Sequence, residues 1–349
     1  MTLQPRCGRC IVPTFLLVLL ALFTVAAAAQ DAITIVGSGS NLPRPLYDAW
    51  VSAFNQRNPK AQVQYLPLGT AVSIKQISSG NGDFGGGEVP LTSDLLAGSH
   101  VKLVDVPVGL VAVVPIYNLP SLSVELRFSG EVLANIYLGK VRNWNDPELA
   151  SLNPGVKLPA LGIQVFHRAE GKGANYIFSD FLSKESSVFR QRIGKSASPK
   201  WVLGGSAMRN EDMAQQVAST PGGIGYVELN YAAGGVSVGK VQNVAGRFVK
   251  ASRESVASAC AAVARSGMPS FQVSLTNAPG ADSYPLSSFT YVYLPRDIPD
   301  KNRARILDDF VDFVLGEGQS IAAEKNYAAL PSSVLQKARS AVRKLRAGE

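Results

Sequence analysis

Three times between residues 33 and 182 the chain repeats one order of apolar and polar positions. A short apolar run is followed by a turn of small polar residues, and then by apolar positions at helical spacing. In the first unit the run 33–36 leads into Gly37-Ser38-Gly39-Ser40-Asn41, and Leu46, Ala49, Trp50, Ala53 and Phe54 follow before Asn58-Pro59. In the second, 63–68 turns at Gly69-Thr70 into a helix carrying Ile74 and Ile77, which stops at Gly80. In the third, 163–166 passes through a Gly-flanked turn into a helix with Ile177, Phe178, Phe181 and Leu182 on one face. Strands alternating with helices predict an α/β fold with mostly parallel sheets. Two longer β patterns, 104–115 and 284–294, bracket the middle of the chain. Read as two crossings between domains, they divide the chain into 30–108 plus 285–349 as one domain and 109–284 as the other. Helices are expected around 131–138 and after Met208, an amphipathic one over 297–315, and a basic helix with a solvated face after Leu330-Pro331. The stretch 234–281 yields no functional reading.

The ends change the picture. Arg6 and Arg9 precede an apolar run over 11–25 and the small residues 26–29, the pattern of a cleavable secretory signal cut after Ala29. Cys7 and Cys10 leave with that segment, so the mature chain keeps only Cys260, in an Ala-rich run that reads as core. A single thiol forms no internal disulfide, and the expected location is free in the periplasm. The formal charge of +8 falls to +6 once Arg6 and Arg9 are removed. There are no long Lys/Arg runs with interleaved aromatics, so nucleic acid is not an expected partner. The excess does suit a small anion.

Candidate chemistry collects at the three turns. Each places small polar residues where a helix begins, and a helix N-terminus offers unpaired N–H groups and a positive dipole end. The third adds Arg168 and Lys172. Between the second and third, Gly85-Gly86-Gly87 invites close backbone approach, with Glu88 set among apolar neighbours. An enzyme would need a nucleophile with its base, or a metal cluster. His100 and His167 are the only histidines, and no His/Cys/Asp/Glu spacing resembles a metal site, so neither catalysis nor a cofactor is expected.

The segments GSGSNLPRPLY (37–47), IKQI (74–77), DFGGGEVPL (83–91), NIYLGKVRNWND (135–146), LNPGVKLP (152–159), HRAEGKGAN (167–175), GGIGYVE (222–228) and NYAALPSSV (326–334) cover nearly the whole mature chain. Through them the chain resembles the periplasmic phosphate-binding proteins of Pst ABC transporters. The resemblance implies a two-domain periplasmic binding protein fold with two hinge crossings and a ligand cleft between the domains. It also implies a monomer that captures inorganic phosphate and delivers it to permease subunits. Alternatives are another oxyanion (sulfate, arsenate, phosphite or molybdate) or a role as sensor or scavenger.

Residue by residue, the resemblance implies an anion site of Asn41, Leu42, Thr70, Glu88, Arg168, Lys172, Gly173 and Ala174. Backbone N–H groups would come from Asn41, Leu42, Thr70, Gly173 and Ala174, and a hydroxyl from Thr70. Arg168 would be the charged anchor, with Glu170 in the place of the acid that orients it. Glu88 stands where the family has an aspartate, and Lys172-Gly173-Ala174 where it has Ser-Gly-Thr. An acid at 88 favours a protonated oxyanion over sulfate, because phosphate retains a hydrogen to donate to it.

Overall fold

In this computed structural model, residues 1–2, 4, 32–122 and 124–348 are described; the secretory signal expected at 1–29 lies almost wholly outside them. The chain first runs β1 (Ile33–Gly39), α1 (Arg44–Arg57), β2 (Ala61–Leu66), α2 (Thr70–Ser78), β3 (Phe84–Gly87), α3 (Ser93–Leu96) and the long β4 (Leu103–Tyr117). Then follow β5 (Arg127–Phe128), α4 (Gly130–Tyr137), α5 (Pro147–Leu152), β6 (Gln164–Arg168), α6 (Gly173–Glu185), α7 (Ser187–Arg192), β7 (Gly205–Ala207), α8 (Asn210–Ser219) and β8 (Gly223–Glu228). Short strands β9 (Ser237–Val238), β10 (Lys240–Gln242) and β11 (Phe248–Val249) lead to α9 (Arg253–Arg265) and β12 (Ser287–Pro295). The chain closes with α10 (Lys301–Leu315), α11 (Gly318–Glu324) and α12 (Ser332–Ala347).

The three repeated units thus form β1–α1, β2–α2 and β6–α6. The first strand runs three residues further than expected, through Gly39, because its glycine-rich end pairs with β3 at Gly37, Ser38 and Gly39. Such an end has no side chains to keep neighbours away: a Cβ on Gly37 would meet the Phe84 ring at 2.1 Å. The helix expected from 297 starts only at Lys301, where Asp300 accepts from the N–H groups of Asn302 and Arg303. The C-terminal helix α12 is basic outside, yet buries Val334, Ala338 and Val342.

The large sheet has the order β2-β1-β3-β12-β4-β8-β6-β7, with β9 also paired to β4. Strand β4 explains the two-lobed shape. Its residues Leu103 to Ala112 pair with β12, and Val113 to Tyr117 pair with β8 in the other lobe. Mostly parallel pairing was the expectation, and it fails where the lobes join. β1 is parallel to β2 and β3, and β6 to β7 and β8, but β12 is antiparallel to β3 and β4, and β4 to β8. The cause is the returning chain: β12 comes back from the second lobe and lies beside the strand that left. One core runs along this seam, from Trp50, Tyr47 and Phe310 in the first lobe to Trp144, Tyr137 and Phe178 in the second. Cys260 is buried in it on α9.

Candidate functional site

The parallel strands of both lobes direct their carboxyl ends at the cleft, as open α/β sheets do at ligand sites. Helix α2 starts at Thr70 and α6 at Gly173, and neither carries a side-chain cap on its first turn. The first N–H groups of each helix have no acceptor within the helix, so Thr70, Gly173 and Ala174 present donors to the cleft. Gly69 at φ +110 turns the chain into α2, and Gly171 at φ +74 turns it toward α6. The lobes touch here: Ala71 N–H donates to Gly171 O at 3.1 Å.

Glu88 sits at the meeting point. It is fully buried, accepts from the Thr70 hydroxyl at 3.0 Å through Oε2, and faces the Thr290 hydroxyl at 3.5 Å through Oε1. A Cβ added to Gly173 would lie 1.7 Å from Oε2, so only glycine lets α6 come this close to the carboxyl. Gly87 has the same role on the other side, where a Cβ would meet Thr70 Cγ2 at 2.5 Å. Burial pushes the Glu88 carboxyl up to about 7, against the opposing pull of the Ser40 and Thr70 hydroxyls.

Arg168 ends β6 and is 1% exposed. Its Nε donates to Ala207 O at 3.3 Å, Nη1 to Asn210 Oδ1 at 2.5 Å, and Nη2 to Met208 O at 2.9 Å and Asn41 Oδ1 at 3.3 Å. Four of its five N–H groups are thus engaged, three of them by its own lobe, which fixes the plane of the fork. The Asn41 contact crosses the cleft. Burial lowers the guanidinium pKa below its ordinary value. Behind it, Tyr226 donates to Asn175 Oδ1 at 2.5 Å and accepts from Arg168 N–H at 3.1 Å, while Asn175 Nδ2 holds Ala169 O at 2.7 Å.

Lys172 is the residue before α6 and is 7% exposed, with its Nζ 3.1 Å from where a Cβ on Gly69 would be. It forms no ion pair among the described residues, and burial, with Arg168 nearby, lowers its pKa.

The structure therefore brings Asn41, Thr70, Glu88, Arg168, Lys172, Gly173 and Ala174 to one place. Leu42 differs: it is buried, and its N–H donates to Ser40 Oγ at 3.1 Å instead of facing the cleft free. Glu170 does not orient Arg168. It is exposed and pairs with Lys200 at 3.7 Å, because the turn at Gly171 carries it to the surface. Asn210 takes the orienting place. Asn210 and Thr290 were not singled out from the sequence, where Asn210 lies in a polar stretch and Thr290 within an apolar β pattern; Ser40 lies in the first turn but was not named as part of the site. A surface cavity of about 520 Å³, lined by residues of 294–308 and the end of the chain around α12, contains none of these residues. Among the described residues no cluster of His, Cys, Asp or Glu is arranged to hold a metal ion, and no helix is long and apolar enough to cross a membrane.

Two lobes joined by shared long strands, with a helix N-terminus from each lobe and two buried cations of the second lobe at the cleft, define a solute-binding protein of the periplasmic type. Residues 24–317 match the profile of the PBP superfamily domain. Phosphate-binding protein PstS of Pasteurella multocida is 35% identical over 323 residues, 92% of this chain and 93% of that one. PstS of Haemophilus influenzae is 33% identical over 318 residues, 90% and 94% of the two chains. The chain belongs to the PstS phosphate-binding protein family. The fold agrees with solved structures of low identity. A putative phosphate ABC transporter substrate-binding protein from Clostridium perfringens, solved with phosphate, has a TM-score of 0.63 at 19% identity, covering 86% of this chain and all of that one. A high-affinity periplasmic phosphate-binding protein, also solved with phosphate, has a TM-score of 0.67 at 20% identity, covering 88% and 93%.

Proposed function

We propose that this protein captures inorganic phosphate in the cleft between its lobes, in the periplasm, and hands it to the permease subunits of an ABC transporter. The observation that carries the reading is the convergence of two uncapped helix N-termini, two buried cations and a buried acid on one point between the lobes. Thr70, Gly173 and Ala174 donate backbone N–H groups, Arg168 and Lys172 supply charge, and Asn41 yields its place on Arg168 to an anion oxygen. Preorganised, charge-assisted bonds in a water-excluded cleft give affinity without catalysis. The relatives whose names are known are binding proteins, which supports a binder and not an enzyme.

This reading takes the lobes as 30–108 with 285–349 and as 109–284, the outgoing boundary lying within β4 a few residues before it changes partner between Ala112 and Val113. Closing these lobes around the anion creates the surface that a permease meets. A secretory signal at 1–29 and a monomeric state complete it.

A thermal-shift panel of phosphate, arsenate, sulfate, phosphite and molybdate tests the assignment. Phosphate at micromolar concentration is expected to raise the melting temperature by mass action. An anion other than phosphate giving the larger shift replaces the ligand, and no shift with any of them ends the oxyanion reading.

A further inference from the structure

This inference rests on the cleft being an oxyanion site. The stretch 266–286, between α9 and β12, carries neither helix nor strand. Part of it is nevertheless held from both lobes. Residues 268–272 are held by the first: Lys337 on α12 donates to Met268 O and sits 5.5 Å from the centre of the Phe271 ring. Tyr291 on β12 donates to Phe271 O at 2.7 Å, and Gln272 Nε2 donates to Leu91 O. Residues 274–277 are held by α6 of the second lobe. The Ser274 and Thr276 hydroxyls donate to Asp180 Oδ2 at 2.5 and 2.6 Å. Lys184 Nζ donates to Ser274 Oγ and Thr276 O, both at 2.8 Å, and Asn277 Nδ2 donates to Glu185 Oε1 at 2.5 Å. Only Val273 stands between the two sets. A cavity of about 20 Å³, room for one water, is lined by Glu88 together with Gln272, Ser274 and Thr276, so the segment walls one side of the cleft.

These bonds bear on the anion through α6. Asp180 lies two turns on from Gly173, on the same face of the helix. Whatever holds Asp180 therefore holds the N–H groups of Gly173 and Ala174 against Thr70 and Glu88. The segment also has little slack, since the two steps from Gln272 to Ser274 span at most about 7 Å. Parting the lobes along it breaks one set of bonds. The set on α6 is the one that yields. Lys184 and Lys195, which flank Asp180 at 3.4 and 3.2 Å, are 36% exposed, so water can replace their partners. At the other end the Phe271 ring is buried, and pulling it out costs apolar burial.

We propose that 268–277 is an interlobe strap, a third connection beside β4 and β12 that latches onto Asp180 and Lys184 when the lobes close. Its bonds to α6 belong to the closed form, so they favour closure and hold the anion in. Asp180 is a positioning residue: it acts on the anion only through α6.

Ser274→Ala combined with Thr276→Val removes both hydroxyls from Asp180 and leaves every cleft residue in place. Its phosphate Kd, read by calorimetry, is expected to rise about tenfold, the lower end of what hydrogen bonds to a charged group contribute. The exchange of Ser274→Thr with Thr276→Ser keeps both hydroxyls and is expected to bind with the wild-type Kd. A merely structural role would lower the melting temperature of the first variant and leave its Kd alone. A wild-type Kd in that variant, whatever its melting temperature, overturns the strap and leaves the oxyanion site standing. An equal rise of Kd in the exchange variant also overturns it. If wild type binds no oxyanion, the oxyanion reading falls by itself, and small-angle scattering of the ligand-free proteins decides the strap. Equal radii for wild type and the first variant overturn it, and a larger radius for the variant upholds it.

Discussion

Tyr327 donates its hydroxyl hydrogen to Glu228 Oε2 at 3.2 Å, linking the C-terminal part of one lobe to the last residue of β8 in the other. The same carboxylate accepts from Asn230 N–H at 3.0 Å. The Glu228 N–H reaches Asn210 Oδ1 at 3.5 Å, the atom that also holds Arg168. A buried acid at the join of the lobes is thereby tied to Arg168 in the cleft.

Stability should therefore depend on this acid. Burial pushes Glu228 up to about 8 from an ordinary value of 4.5. The folded state holds its proton more tightly than the unfolded state, so no cost is present below about pH 4.5. The cost then grows as pH rises toward 8, by at most about 1.4 kcal/mol per pH unit. Glu88, raised to about 7, acts with the same sign over the lower part of that window. The melting temperature of Glu228→Gln minus that of wild type is expected to increase from pH 5 to pH 8. A constant difference across that range refutes the assignment.

Replacing Arg168 with Ala should cost about 2–5 kcal/mol of phosphate binding, the usual loss when one partner of a buried charge pair is truncated. The variant loses both the charge and the planar fork that reaches Ala207 O, Asn210 and Met208 O. Titration calorimetry reads the loss directly, and wild-type affinity would remove Arg168 from the site.

Gly173→Ala tests the contact with Glu88. The new methyl would stand 1.7 Å from Oε2 and 2.7 Å from Cδ, so either the carboxyl or α6 must move. Overpacking of this kind costs about 1–3 kcal/mol of stability. The expected result is a lowered melting temperature with phosphate binding lost. A variant that melts and binds like wild type shows that the lobes do not close on Glu88 in solution.

Lys172→Met should weaken phosphate binding by about 1.5–3 kcal/mol, the range for a hydrogen bond to a charged group. It should also make the affinity less sensitive to salt, since one cation leaves the site. Calorimetry at low and high ionic strength checks both. Unchanged affinity with unchanged salt dependence means that the ammonium points away from the anion.

Much of the site was legible because its parts are local. A helix start after a glycine turn can be read at Thr70 and at Gly173, since the orphan N–H groups follow from helix geometry wherever the helix lies. Arg168 stands out as a charged residue at the end of an apolar strand. Glu170 was misjudged for the opposite reason. It lies two residues from Arg168 in sequence, but the positive φ of Gly171 sends it outward. Asn210 could not be found this way: it opens α8 amid Arg209, Glu211 and Asp212, a stretch that reads as a solvated helix start. Only the register that pairs Arg168 with Ala207 brings Asn210 to the guanidinium.

Alternation of apolar runs and helical spacing was enough to predict an α/β chain, two long strands at the joins and the glycine turns that open α2 and α6. Each of these depends on neighbours within a few residues, where periodicity, turn chemistry and capping act. Tertiary structure alone decided that β4 serves both lobes and that β12 returns antiparallel beside it. It also decided that Glu88 is sealed against Gly173 and that Glu228 meets Tyr327, 99 residues away. The raised pKa values of those two acids follow from desolvation, and desolvation depends on which distant surfaces close over a residue. A residue's neighbours in sequence carry no record of that.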